Sequence, residues 1–222
     1  MNETQKLSPE EKEAIKLLGQ VLNVGINGLA TFSGAQKLAD RYLNNKKYPT
    51  QLDKINALVK IELTKNFTSG FLTSLGGIFT LPFTIPASLA ANWVIQTRMV
   101  AAMAYIGGFN IDDPPVRVSI ALCLLGKKGQ QALEGDYNEF QKLLRKDQIA
   151  KLSKQTIQML NLVIANRLMK LAAQKGLSRL GKAIPIIGGA LGGFLDYYSC
   201  KNSSEFAFEF FDLKSKNDII NY

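Results

Sequence analysis

Residues 66–111 read NFTSGFLTSLGGIFTLPFTIPASLAANWVIQTRMVAAMAYIGGFNI, and across these 46 residues the one charged side chain is Arg98. Pro82 and Pro86, in Leu81-Pro82-Phe83-Thr84-Ile85-Pro86, divide the stretch into limbs at 66–81 and 87–106, because proline lacks the donor a helix interior needs. The first limb, if helical, reaches about 24 Å, short of a hydrocarbon core of about 30 Å. The second reaches that thickness but carries Ser88, Asn92, Gln96, Thr97 and Arg98. Ser88, Asn92 and Gln96 recur at i, i+4 and i+8 as one polar stripe. Arg98 lies about 200° around from Gln96, beside Ala91, Ala101, Ala102 and Tyr105. A spanning hairpin, a buried hairpin in a soluble protein, and a hairpin that dips into a bilayer on demand all remain open. The stripe and the arginine favour the last two. The expected fold class is all-α: a single-domain helical bundle around a central apolar, Pro-split helical hairpin, with a Gly-rich C-terminal helix packing on it.

Working toward the N-terminus, Ser8-Pro9-Glu10-Glu11 is a helix start, with Ser8 as N-cap, Pro9 at the first helical position and Glu11 completing a capping box. The helix is expected to reach about Val24 and to continue, punctuated by Gly25, Gly28 and Gly34, to about Leu43. Leu52, Ile55, Leu58, Val59 and Leu63 predict another helix before residue 66. The first 16 residues hold four acids and three lysines with no apolar core, so no signal peptide is read there.

Toward the C-terminus, Gly107-Gly108 ends the second limb, and Asp112 or Asp113 caps a helix opened by Pro114-Pro115 and running to Gly126. Shorter helices are expected near 127–134 and 136–147. A basic amphipathic helix starts near Gln148, with Ile149, Leu152, Thr156, Leu160 and Val163 on one face and Lys151, Lys154, Gln158 and Asn161 opposite. Its pattern slips at Asn166-Arg167, read as a kink or an end. Residues 183–195 form a 13-residue uncharged run, too short to span, in which Gly188/Gly192 and Gly189/Gly193 are small-xxx-small pairs suited to close helix packing. Phe206-Ala207-Phe208-Glu209-Phe210-Phe211 is read as helix.

The chain has 222 residues, enough for one domain with its own core. It has no histidine, which excludes Ser–His and Cys–His nucleophile pairs and every imidazole-bearing zinc site. Cys123 and Cys200 read as reduced core thiols. Of the net charge of +9, residues 126–182 hold +8, and residues 148–182 contain seven cations and no acid. Such a surface attracts a polyanion. No aromatic side chain lies in 148–182 to stack on a base, so an anionic membrane is favoured over nucleic acid.

Motifs for chemistry are weak. Gly176-Leu177-Ser178-Arg179-Leu180-Gly181-Lys182-Ala183 nearly spells a phosphate-binding loop, but Ala183 stands where magnesium needs a hydroxyl and a helical pattern precedes it. Asp112 and Asp113 are neighbours, better placed to cap than to flank a bond. No catalytic residue, cofactor or metal is expected. Arg98, isolated in an uncharged stretch, must find a carboxylate, carbonyls or a phosphate. Pairing with Asp112, Asp113 or Asp196 is one reading, and receipt of an anionic headgroup at the edge of an apolar cleft is the other.

The segment Ser69-Gly70-Phe71, Gly76-Gly77, Leu81-Pro82-Phe83-Thr84-Ile85-Pro86, Gln96-Thr97-Arg98 through Gly107-Gly108, and Asp113-Pro114 resembles the core signature of the EcsC protein family. Ile184-Pro185-Ile186-Ile187-Gly188-Gly189 is similar to that family's C-terminal Pro-Gly motif. The resemblance covers roughly residues 55–210 and leaves the first 50 without a clear match. It implies an all-helical protein without an established enzymatic activity and, because the family is named for a bacterial protein encoded beside an ABC-type exporter, a membrane-linked role. The expected division is an N-terminal helical extension at 1–50, an EcsC-like domain at 51–213 and a polar tail at 214–222.

The leading expectation is a non-enzymatic, cytoplasmic protein associated peripherally with membranes or binding a lipid. Arg98, Lys151, Lys154, Arg167, Lys170, Arg179 and Lys182 would meet lipid or another anion. Phe71, Leu75, Phe79, Phe83, Trp93 and Tyr105 would line an apolar cleft or insert, and Gly188, Gly189, Gly192 and Gly193 would pack helices. The alternative is a soluble interaction module for a protein partner such as a transporter subunit. A third possibility is an enzyme on an apolar substrate using Arg98 and Asp113.

Overall fold

Ser8 opens the first helix through a reciprocal pair of bonds. The Glu11 N–H donates to Ser8 Oγ at 3.2 Å, and the Ser8 N–H donates to Glu11 Oε2 at 2.9 Å. From this cap α1 runs over Pro9–Asn27. The computed structural model describes residues 7–29, 32–65, 87–126, 152–180 and 185–213, without the side chains of 65, 87, 174–180 and 185–196. Among the described residues there are seven helices and one very small sheet, so the fold is all-α.

Where a continuous helix was expected beyond Gly25, the chain instead forms an antiparallel hairpin, β1 (Gly28–Leu29) and β2 (Phe32–Ser33), pairing Gly28 with Ser33 and Leu29 with Phe32. Helix α2 (Ala35–Leu43) follows, then α3 (Gln51–Lys65), α4 (Ala87–Ile106), α5 (Pro114–Cys123), α6 (Lys154–Leu180) and α7 (Pro185–Phe210).

Helix α4 is the centre. It packs against α1, α2, α3, α5 and α7, while α6 lies against α1 and α5. A helix touched on so many sides has no face to give to water, which accounts for the missing charges. Val94, Met99, Val100, Ala101, Ala102, Met103 and Ala104 are all fully buried. Among the described residues no helix is long and apolar enough to cross a membrane. The first limb of the expected hairpin, with Phe71, Leu75, Phe79 and Phe83, lies outside the described residues, as do the expected helices near 127–134 and 136–147 and the tail at 214–222.

Ala14, Leu17, Leu18, Val21, Leu38 and Tyr42 belong to the same apolar cluster as α4. At Gly25 the approach of α1 to α4 is so close that a Cβ would lie 2.5 Å from Thr97 Cγ2.

Two further expectations are corrected. Helix α6 begins at Lys154, not near Gln148, with Ser153 Oγ accepting from the Thr156 N–H at 3.1 Å. It also runs through Asn166 and Arg167 without a break. Its buried ridge is Leu160, Ile164, Leu168 and Ala172, whereas Val163 is exposed. A ridge spaced by four residues drifts around the helix axis, and that drift is what reads as a slip when one fixed face is assumed. At α5, Asp113 holds the N-cap position but makes no side-chain cap bond. Its Oδ1 accepts instead from Asn110 Nδ2 at 2.7 Å.

The phenylalanine run is helical as expected, with Phe206 and Phe210 buried and their rings 5.7 Å apart. Just beyond α7, Phe211 meets Phe109 edge-on at 4.9 Å. Leu213 then seats against Gly107, where an added Cβ would come within 2.5 Å of Leu213 Cδ2.

Candidate functional site

Arg98 is answered by a residue the sequence reading passed over. Its Nη2 donates to Glu62 Oε2 on α3. The pair is enclosed, with 13% of the Arg98 side chain and 1% of the Glu62 side chain exposed. The guanidinium carbon lies 4.3 Å from the centre of the Phe32 ring, and Nη1 reaches the Ser33 carbonyl at 3.5 Å. Stacking on an aromatic face and a carboxylate contact together suit the planar guanidinium. The counter-charge described is that of Glu62, not of Asp112 or Asp113, and the side chain of Asp196 lies outside what is described.

The signal for Glu62 was present. Ile55, Leu58 and Val59 fill the inward face of α3, and Glu62 falls seven residues after Ile55 on that same face. Beside the pair, Tyr42 is pushed above its ordinary pKa of 10.0, first by burial and then by the Glu62 carboxylate.

The polar stripe on α4 faces α7. Gln96 Nε2 donates to Asn92 Oδ1 and, at 3.0 Å, to Ser199 Oγ. Ser203 Oγ donates to Gln96 Oε1 at 2.6 Å. These buried amides register one helix against the other, since a shift by one residue would strand them without partners.

Trp93 is core. It lies among Leu17, Leu18 and Val21 of α1 and Ala165 and Leu168 of α6, beside a void of only about 10 Å³. Tyr105 is half-buried, and its hydroxyl accepts from Gln36 Nε2 at 3.1 Å. That bond ties α4 to α2 at the edge of a solvent-open cleft of about 670 Å³. The cleft is walled by the end of α1 and the hairpin, by α2, and by the loop bearing Ile111 and Asp112. Phe32 and Ser33 form part of its wall, with Arg98 behind them.

The predicted cations fall elsewhere. Lys154, Arg167 and Lys170 are exposed on α6. Met159 shares that outer side at 60% exposure and Val163 at 38%. Lys151, Lys182 and the side chain of Arg179 lie outside what is described. Gly188, Gly189, Gly192 and Gly193 fall within α7, and their surroundings lie outside it as well. Arg98 is enclosed between α3 and the hairpin, and Lys154, Arg167 and Lys170 are exposed on α6.

Cys123 and Cys200 are buried and neither is in a disulfide. Burial holds the Cys123 thiol well above its ordinary range, which keeps it inert near neutral pH. Among the described residues no cluster of acids and cysteines could hold a metal ion.

The model of the EcsC protein family matches residues 9–214. The chain belongs to the EcsC protein family. Membership therefore starts within the first turn of α1 and takes in the hairpin and α2, which the sequence resemblance had left unmatched. No curated protein and no solved structure matches the chain. In this EcsC protein three residues that drew attention by sequence, Arg98, Tyr105 and Asp112, gather around the hairpin cleft.

Proposed function

We propose that this EcsC protein is a non-enzymatic, peripheral membrane-associated protein whose α6 outer face meets anionic lipid headgroups. One observation carries the reading. The exposed side of α6 presents Met159 and Val163 together with Arg167 and Lys170, with Lys154 exposed at the first residue of the helix, in a segment, 148–182, without a single acid. A helix lying in an interface needs an apolar strip to enter the acyl boundary and cations beside it for the headgroups. Each cation near an anionic leaflet contributes about 1 kcal/mol, so Arg167 and Lys170 give a preference for anionic over neutral vesicles of roughly 30-fold. The buried ion pair at Arg98 argues for surface association over capture of a lipid in an internal cavity.

Vesicle flotation tests this. The full chain is expected to float with vesicles containing anionic phospholipid and to stay behind with neutral ones, and the K154E/R167E/K170E variant is expected to lose that recovery while keeping its helical circular dichroism. Equal recovery on both vesicle types, or no effect of the three substitutions, would overturn it. Absence of recovery on any vesicle, combined with tight association with one protein such as a transporter subunit, would replace it with the interaction-module reading.

A further inference from the structure

We propose that the cleft between the β1–β2 hairpin, α2 and the 111–112 loop binds a small zwitterion bearing a phosphate and an ammonium, the chemistry shared by free phosphoethanolamine and the phosphatidylethanolamine headgroup. The cleft, at about 670 Å³, has the volume of a small-molecule site. Its charged lining is balanced: Lys37 and Arg41 against Asp40 and Asp112. Among the described residues none of these four is in an ion pair, and Lys37, Arg41 and Asp112 are exposed.

Lys37 and Arg41 both line the cleft and are one turn apart on α2, with Cβ atoms about 6 Å apart, a spacing from which both heads can reach one phosphate, the guanidinium through its fork. A bare anion entering the cleft also meets two carboxylates, and a bare cation meets Lys37 and Arg41. A molecule carrying both signs can set its phosphate against Lys37 and Arg41 on α2 and its ammonium against Asp112 on the other element of the lining. Phe32 and Ile111 supply apolar wall for the carbons between them.

Two hydrogen bonds hold parts of the wall. Gln36 is held by Tyr105 at 3.1 Å, and the Asp112 N–H is held by Asn110 Oδ1 at 3.2 Å. Such preorganisation spares the cost of ordering the walls upon binding. The site shares no residue with α6 and does not rest on the vesicle reading.

Calorimetric titration of the full chain with O-phosphoethanolamine, with ethanolamine and inorganic phosphate in parallel, tests the assignment. Saturable binding near or below about 1 mM is expected, with each half-molecule weaker by about tenfold or more. K37A/R41A is expected to lose binding by about tenfold or more, and D112N to erase the preference for the zwitterion over phosphate. These side chains sit at the surface, and unchanged thermal melts will show that each variant is folded. K154E/R167E/K170E is expected to bind as the parent does, which separates a failure here from a failure of the α6 reading.

A second arm compares phosphatidylcholine vesicles with and without phosphatidylethanolamine. Recovery that depends on phosphatidylethanolamine and is lost in K37A/R41A assigns the lipid headgroup, and titration alone without such recovery assigns the free solute. The proposal is overturned if O-phosphoethanolamine gives no saturable heat up to roughly 10 mM and recovery ignores phosphatidylethanolamine. It is equally overturned if inorganic phosphate binds as tightly as the zwitterion, or if K37A/R41A changes nothing.

Discussion

Glu62 and Arg98 illustrate how a buried ion pair behaves when one member is changed. Removing one partner leaves a charge enclosed and costs about 3 kcal/mol, whereas replacing both with apolar side chains of similar volume is close to neutral. We therefore expect Glu62→Leu and Arg98→Met each to lower stability by about 3 kcal/mol, and the double variant to recover most of that loss. Urea midpoints at constant slope will read it.

Thr97 offers the opposite sign, because its Oγ1 is buried and makes no hydrogen bond. Thr97→Val keeps the shape and removes the polar atom, for an expected gain of about 1 kcal/mol. Titration adds a third outcome. The Cys123 thiol is held well above its ordinary value of 9.0 by burial, so the folded state keeps its proton when the unfolded chain has lost it. Stability from this group is whole below about pH 9 and falls as pH rises from there toward the folded pKa. Tyr42, raised from 10.0, steepens the fall from about pH 10. Melts between pH 8 and about 10.5 should decline, less so in Cys123→Ala measured against its own neutral-pH value.

Among the elements, α1 and α4 meet most closely at Gly25, where a methyl group has no room beside Thr97. Gly25→Ala is expected to cost about 1–3 kcal/mol by overpacking, although alanine favours the helix intrinsically. A thermal melt measures which term wins. How much of this architecture was legible depends on how local its cause is. The Ser8 cap and the Phe206/Phe210 pair follow from residues within a turn of each other, and both were readable. The hairpin at Gly28 and Ser33 was not, because two-residue strands carry no alternation to detect. Arg98 was readable as a residue in need of a partner, yet its partner lies 36 positions upstream, and only tertiary contact selects Glu62 over the nearer aspartates. The cleft has no linear signature at all, being assembled from α1, the hairpin, α2 and a loop more than sixty residues further on.

At the scale of the molecule, α4 is enclosed by other helices, and α6 carries exposed Arg167 and Lys170. If α6 faces anionic lipid, raising salt from about 0.1 M to about 1 M, which shortens the Debye length from about 10 Å to about 3 Å, should sharply reduce vesicle recovery. M159S/V163S should weaken recovery with little change in that salt dependence. A different consequence follows from Leu213 resting in the space that Gly107 leaves open. The ribosome delivers α4 about a hundred codons before it delivers the leucine that plugs its end. Until then the nascent protein exposes a greasy notch to chaperones, and a premature stop or proteolytic nick ahead of position 213 would leave that notch permanently unsealed.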